Sequence, residues 1–308
     1  FALQNLADFE VPAEGVKAIP PLNHLSSFDQ WIVFKLAETE KAVEEALEND
    51  RFSDAAQALY HFIWHQFCDW YIEFTKPIMN GTDANERKAT QLILAQVMNR
   101  FVRLLHPFCP FISEEIYSKL PIRGEACIID QYPTVLNDRE FLALGNEQAA
   151  FEIDLIKETI LAIRNIRGEN RLSPALKLKI RLGVNDAGVQ KILGTNKTAL
   201  MTLGRLEELE IGEHGDLKKC AVNQVTVKDA SVKVIIPLEG LVDFDEEIKR
   251  IHKALEKLSK DIGMLTGKLS NEKFIQNADE EVVAADRLLL EQSKIQLISL
   301  QEALTRFQ

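Results

Sequence analysis

The chain has 308 residues, is 46% hydrophobic and 27% charged, and carries a formal net charge of −11. That length leaves room for two or three domains with ample core, and no apolar run approaches the roughly 20 residues of a membrane span. Nothing at the start resembles a signal peptide, and Cys68, Cys109, Cys127 and Cys220 form no CxxC pair, which excludes the usual zinc spacings and a disulfide framework. Cytoplasmic residence, no membrane and no bound metal are the expectations.

The opening FALQNLADF reads as the last turns of a helix already under way, as expected of the C-terminal part of something longer. Residues 12–21, with Pro12, Gly15, Pro20 and Pro21, read as an irregular connection. Ser26 or Ser27, with Asp29 in the first turn, starts a helix running to about Glu48. Ser53 is the candidate cap of the next, which carries the densest aromatic stretch: seven of 23 aromatic residues lie between Tyr60 and Phe74. Tyr60, Trp64, Phe67, Tyr71 and Phe74 step by four and three, and Phe62, Ile63, Trp70 and Ile72 widen that face. A helix apolar around most of its circumference has to be surrounded by others, so it is expected at the centre of a bundle, stopped by Pro77. Stacking of bases on an exposed ring is the alternative use of such a stripe.

Asn80-Gly81 makes a turn, and Thr82 or Asp83 opens a helix with Leu92, Ile93, Val97, Phe101, Leu104 and Leu105 inward. Pro107 and Pro110 break the chain before a short helix around Ser113–Tyr117. Residues 1–120 are therefore expected to form a helical bundle. Residues 121–173 are a linker and connecting helix, with Cys127–Pro133 extended and a helix from Glu147 to Arg167 ended by Gly168.

From Ser173-Pro174 the texture changes. Leu176, Leu178, Ile180 and Leu182 alternate with Lys177, Lys179 and Arg181, the period of a strand. A helical stretch at 186–204, broken near Gly194-Thr195, and strands at 206–211, 221–227 and 232–237 complete a small α/β unit at 174–240. In 241–308, Ile248, Ile251, Leu255, Leu258, Ile262, Leu265 and Leu269 make a coiled-coil seam. Ser270, Asn271 and Asn277 mark a polar break. A second seam follows through Val283, Leu290, Leu297, Leu300, Leu304 and Phe307, interrupted by Asp286 and Ser293. A short break between seams of similar length favours an antiparallel hairpin within one chain, and a monomer.

No phosphate-binding loop, dinucleotide fingerprint, nucleophile elbow or HExxH is present, and the six histidines are scattered. His61 and His65 have the i,i+4 spacing of metal ligands but no evident third, and read as the polar edge of a packed helix. No catalytic residue is assigned. Charge is more informative. Arg164, Arg167, Arg171, Lys177, Lys179 and Arg181 face a single acid, Glu169, within 18 residues. Were the helix to extend that far, the three arginines would share a face. An anionic backbone suits such an island; a solvated face balanced by neighbouring acids is the bland account. On the arm, Lys249, Lys253, Lys257 and Lys260 follow at i+4, i+4 and i+3, with Arg250 and Lys268 nearby. Six acids in 241–270 allow ordinary solubility as the other explanation.

The FCDWYIEFTKP helix, the LHPFCPFISEEIY segment and the tail LEGLVDFDEEIKRIHKALEKL…GKLSNEKFIQNA resemble valyl-tRNA synthetases, a family of class I aminoacyl-tRNA synthetases. Arg164–Glu169 followed by Pro174 is similar to that family's approach to its small C-terminal unit. The isoleucyl and leucyl relatives share the first two motifs more loosely, and an isoleucyl C-terminus would bring a cysteine-rich zinc site. The resemblance implies a mainly α chain: a class I anticodon-binding bundle, a small α/β unit and a C-terminal antiparallel coiled-coil arm. It implies tRNA of the valine isoacceptors and the rest of the parent synthetase as partners. The family's HIGH and KMSKS signatures and its editing domain are absent, so the resemblance implies a non-catalytic portion of a ligase. The parent would join valine to its tRNA through valyl-adenylate with ATP and magnesium; no cofactor is expected in this portion. In the bundle, Arg87, Lys88, Arg100 and Arg103 are candidate tRNA contacts because they are basic and expected on its polar side. A coiled-coil scaffold for protein partners, without RNA binding, is the competing expectation.

Overall fold

The computed structural model describes residues 1–213, 217–271 and 280–307. The chain divides into two compact units, 1–157 and 158–308. In the first, a short helix, α1 (Ala2–Asn5), precedes α2 (Ser27–Glu48). Ser26 and Asp29 close a capping box, each side chain accepting from the other's backbone N–H at 3.1 Å. Asp29 is also fully buried. Its Oδ1 accepts from the Tyr71 hydroxyl at 2.7 Å, and its Oδ2 accepts from Ser26 Oγ at 2.7 Å and Thr90 Oγ1 at 2.8 Å.

The aromatic stretch is a helix in three segments: α3 (Phe52–Tyr60), a π-helical run His61–Tyr71, and α4 (Ile72–Met79). Ser53 does not cap it; the helix starts at Phe52 with no side-chain cap. The π-helical run overturns the expected stripe. Its i→i+5 bonding brings residues five apart to one face, and Phe62 and Phe67 are both buried, with Trp70, Tyr71 and Phe74 beyond them. Tyr60 and Trp64, expected on that face, are 59% and 53% exposed. Tyr60, His61, Trp64, His65, Cys68 and Asp69 form an open side instead. Pro77 does not stop the helix either: it lies inside α4, which ends at Asn80. In a last turn proline forfeits one backbone bond, and the helix ends two residues later anyway.

The central helix is α5 (Ala84–Leu105), not the aromatic one. Asp83 caps it by accepting from the N–H groups of Asn85 and Glu86, and every residue from Ala89 to Val102 is buried. Its buried polar groups find partners across the bundle: Gln96 donates to Ala18 O at 2.8 Å and Asn99 to Ile122 O at 3.1 Å. Around it pack α2 and the aromatic helix, joined by ring contacts of Phe62 and Phe67 with Phe101 and of Trp31 with Phe74. Then come α6 (Pro110–Tyr117), a 3-10 turn at Cys127–Ile129 where an extended link was expected, and α7 (Arg139–Leu142). A Cβ at Gly145 would lie 2.8 Å from the Phe34 backbone, so only glycine lets the chain cross α2 there.

The next helix, α8 (Glu147–Glu169), runs through the boundary between units. It continues past Gly168; of the inner face expected from its 3.6-residue period, Leu155, Ile156, Ile160, Ile163 and Ile166 are buried and Phe151 is half-buried. In the second unit β1 (Leu178–Gly183), α9 (Ala187–Thr195), α10 (Lys197–Leu203), β2 (Leu206–Gly212), β3 (Cys220–Val227) and β4 (Ala230–Pro237) build a mixed sheet ordered β2-β1-β4-β3. The β1–β2 pair is parallel, with α9 and α10 as the crossover; the other pairs are antiparallel. Finally α11 (Phe244–Leu269) and α12 (Glu280–Phe307) pack antiparallel, with Phe244 beside Phe307 and Lys268 beside Asp286. Of the seam positions Ile251, Val283 and Phe307 are buried and the others half-buried, while Ser293, read as an interruption, is buried with them. Asn277 and the rest of the break from 272 to 279 lie outside the described residues.

Glu40, 1% exposed on α2, accepts no hydrogen bond. Burial and then Asp138 push its pKa up to about 8, against the pull of Arg100 and Arg103. The folded chain therefore holds a proton that the unfolded chain releases near 4.5. The stabilisation this proton brings is complete below the unfolded value and is lost as pH rises through about 8. Urea unfolding over this range should show Glu40→Gln losing less stability than the parent, by on the order of a few kcal/mol. Parallel curves would show that Glu40 is ionised throughout. Tyr71→Phe should lower the unfolding free energy by about 1–3 kcal/mol, since it leaves a buried carboxylate oxygen short of a donor.

Candidate nucleic-acid interface

The bundle's four candidate cations have different environments. Arg87 is tied to Asp8 at 2.8 Å; hydrogen bonds from Gln91 and then Arg87 hold the Asp8 carboxyl below the usual range. Lys88 is exposed and pairs loosely with Glu10 at 3.7 Å. Both are balanced by acids of the N-terminal segment. Arg100, expected on the polar side, is 4% exposed. It pairs with Asp138 at 3.2 Å, donates to Gln96 O at 3.2 Å and lies 3.8 Å from the centre of the Phe141 ring. Burial lowers its pKa to about 10. It is an internal strut closed to phosphate, because α5 is central and has no polar side at that level. Arg103, half-buried, donates to Gln131 O at 2.6 Å and lines a cavity of about 590 Å³ with Lys17, Arg139, Asp130 and Asp138.

The expected basic island at 164–181 dissolves in the same way. Arg164 is exposed, but Arg167 is 8% exposed and donates to Leu176 O at 2.8 Å and to Gly204 O and Arg205 O at 2.9 Å each. Those carbonyls lie just before β1 and just before β2, so Arg167 clamps the entry to both strands. Burial holds its pKa below the ordinary value. Arg171 lies beyond the end of α8 with φ at 52°, so the three arginines share no helix face. Lys177 is exposed just before β1. Lys179 and Arg181 do point to one face, where β2 answers them: Glu208 lies 3.3 Å from Lys179 and Glu210 3.4 Å from Arg181, matching the strand register. The hydrogen bond Lys179 donates to Glu208 raises the Lys179 pKa. The bland account, a face balanced by acids, describes this strand.

The arm keeps its cations outward. Lys249, Arg250, Lys253, Lys257 and Lys260 are all exposed. Among the described residues no ion pair is seen for Lys249, Lys253 or Lys257, whereas Lys260 meets Glu256 at 2.8 Å. Lys268 turns inward to Asp286 at 2.6 Å, which accounts for the acid interrupting the second seam. Two rings that the periodicity places on the inner face are exposed instead. Tyr60 and Trp64 lie parallel within 5° with centroids 6.3 Å apart, beside His61 and His65. The polar companions at 61, 65, 68 and 69 were the signal that this side faces solvent. His61 bonds Gln66 at 3.0 Å and His65 bonds Asp69 at 3.3 Å, as a polar edge would.

The bundle thus exposes a pair of parallel aromatic rings and the two-helix arm an outward row of lysines, groups of the kind that stack on bases and meet phosphates. The chain belongs to the family of anticodon-binding domains of tRNA ligases, whose family model matches residues 29–182. A second family model, the valyl tRNA synthetase tRNA binding arm, matches 243–308. The chain is 71% identical over all 308 residues to a valine–tRNA ligase of Bdellovibrio bacteriovorus. It is 37% identical over 84% of its length to that of Enterococcus faecalis, and 38% over 93% to that of Geobacter sulfurreducens. It spans about a third of the length of these curated relatives: 34%, 28% and 31%. No described helix is long and apolar enough to cross a membrane.

Arg167→Met should lower the thermal midpoint by several degrees, since the carbonyls of Leu176 and Gly204 lose their donor and those of Ser173 and Arg205 lose one of two. Lys253→Glu with Lys257→Glu should leave it within a degree or so, as exposed substitutions usually do. Equal shifts in a calorimetric comparison would overturn this division between internal and surface cations.

Proposed function

We propose that this chain is the tRNA-holding portion of a valine–tRNA ligase. The observation that carries the reading is the order of the two matched models, anticodon-binding bundle and then tRNA binding arm, on a chain alike throughout to such ligases. The bundle meets the anticodon loop. Tyr60 and Trp64 offer a surface on which an unstacked loop base lies, worth about 1–3 kcal/mol per stacked base. The arm, about 40 Å long for its 26-residue first helix, carries Lys249, Lys253 and Lys257 along the backbone of the outer corner of the RNA. The parent enzyme attaches valine to its tRNA through valyl-adenylate in the cytoplasm. It uses ATP and magnesium, for which residues 1–308 carry none of the family's signatures. The chain alone is non-catalytic, monomeric and selective for valine isoacceptors.

One observation favours a second reading. Leu288 and Ile295 on α12 are 62% and 68% exposed and one heptad apart, as in a seam for another helix. Light scattering separates the two: mass rising with concentration supports the scaffold, and a constant monomer supports the RNA arm.

Binding of the chain to valine tRNA and to an unrelated tRNA, across a salt series, tests the main reading. Tight, salt-sensitive binding that prefers valine tRNA is expected. Lys253→Glu with Lys257→Glu should weaken it and flatten the salt slope by about two, one per lost phosphate contact. Trp64→Ala should weaken it with the slope unchanged. Equal weak binding to both RNAs would remove anticodon reading from this chain. Valine-dependent pyrophosphate exchange should be absent, and turnover would overturn the reading.

A further inference from the structure

Three groups with different donor chemistry converge beside α6, outside every surface described above. His106 follows α5, Glu114 lies on α6 and Cys127 opens the 3-10 turn. A ring nitrogen of His106, a carboxylate oxygen of Glu114 and the sulfur of Cys127 all lie within 4.8 Å of one another. We propose that His106, Glu114 and Cys127 form a binding site for one thiophilic divalent cation of the zinc class.

Each donor is held by the partner a metal ligand needs. Ser113 Oγ has one hydrogen, and it points at the carbonyls of Cys109 and Pro110, at 2.7 and 3.1 Å. At its 2.8 Å contact with His106 it therefore accepts from Nδ1–H, the neutral tautomer in which Nε2 carries the ring's free lone pair. The Glu114 oxygens accept from the N–H groups of Cys127 and Ile128, at 3.0 and 3.3 Å, and each keeps a second lone pair. The turn is fastened at both ends to Tyr117, whose hydroxyl accepts from Gly124 N–H at 2.7 Å and donates to Asp130. Cys127 is thereby placed by rigid neighbours.

The charges close. One thiolate, one carboxylate and a neutral imidazole balance a double positive charge. Thiolate with imidazole selects zinc, cobalt or cadmium over magnesium and calcium. Donors bound to zinc at about 2.0–2.3 Å sit roughly 3.3–3.8 Å apart, so about an ångström of side-chain movement closes the site. His106 and Glu114 are half-exposed, which leaves the fourth position to water. On binding the S–H bond breaks, the metal–sulfur bond forms and the proton leaves to solvent; affinity then rises with pH. The ligands are 8 and 13 residues apart on three elements, so the absence of the usual zinc spacings among the cysteines neither reveals nor rules out this triad.

The test titrates the metal-free 308-residue chain with cobalt(II), followed by zinc competition against a chromophoric chelator. One equivalent should bind with a near-ultraviolet thiolate-to-cobalt charge-transfer band, release one proton and raise the thermal midpoint. Cys127→Ser should abolish the band, and His106→Gln should weaken zinc by tenfold or more. Circular dichroism checks that each variant is folded. A variant with Cys68→Ser and Cys109→Ser together should keep the band. Absence of the band in the folded parent, or its persistence in Cys127→Ser, overturns the proposal.

Discussion

Asp29 accepts hydrogen bonds from three elements at once, and the bundle is arranged so that it can. Its two oxygens join the start of α2, the aromatic helix through Tyr71 and α5 through Thr90. Desolvation raises its pKa while the bonds from Ser26, Tyr71 and Thr90 pull it down. A carboxylate in that position is tolerable only while all its donors stay in place. The constraint propagates: Tyr71 reaches Asp29 from the end of the π-helical run, and that run turns Tyr60 and Trp64 to solvent.

The cations divide by the same electrostatic rule. A guanidinium taken into the interior needs its donors satisfied, and Arg100 and Arg167 meet that need with Asp138 and with backbone carbonyls. They became internal parts of the fold. The arm cannot bury cations, because two helices cover only their shared seam, so Lys249, Lys253 and Lys257 remain outside and available. Lys268 is the exception that fits the rule, since it meets Asp286 at the seam.

The anticodon-binding family and the arm follow one another along a chain whose net charge is −11. The sign of the whole therefore says little about RNA. What matters is where acids are answered: Glu208 and Glu210 neutralise β1, Asp8 and Glu10 neutralise the start of α5, and on α11 Lys249, Lys253 and Lys257 are exposed with no ion pair among the described residues.

Much was legible in the sequence because it is local. The caps at Ser26 and Asp83, the period-two strand at Leu178–Leu182, the broken crossover helix and both seams depend on residues within a few positions of one another. So do the motifs that carried the family resemblance. Tertiary structure alone decided which helix is central, because the aromatic helix is the more apolar of the two and yet packing encloses α5 on every side. It decided the π register, which no 3.6-residue pattern anticipates, and the burial of Arg100 and Arg167. It also brought His106, Glu114 and Cys127 together. These outcomes rest on contacts between residues far apart in the chain, such as Trp31 with Asp154 or Arg167 with Gly204, and a one-dimensional pattern holds no record of such pairings.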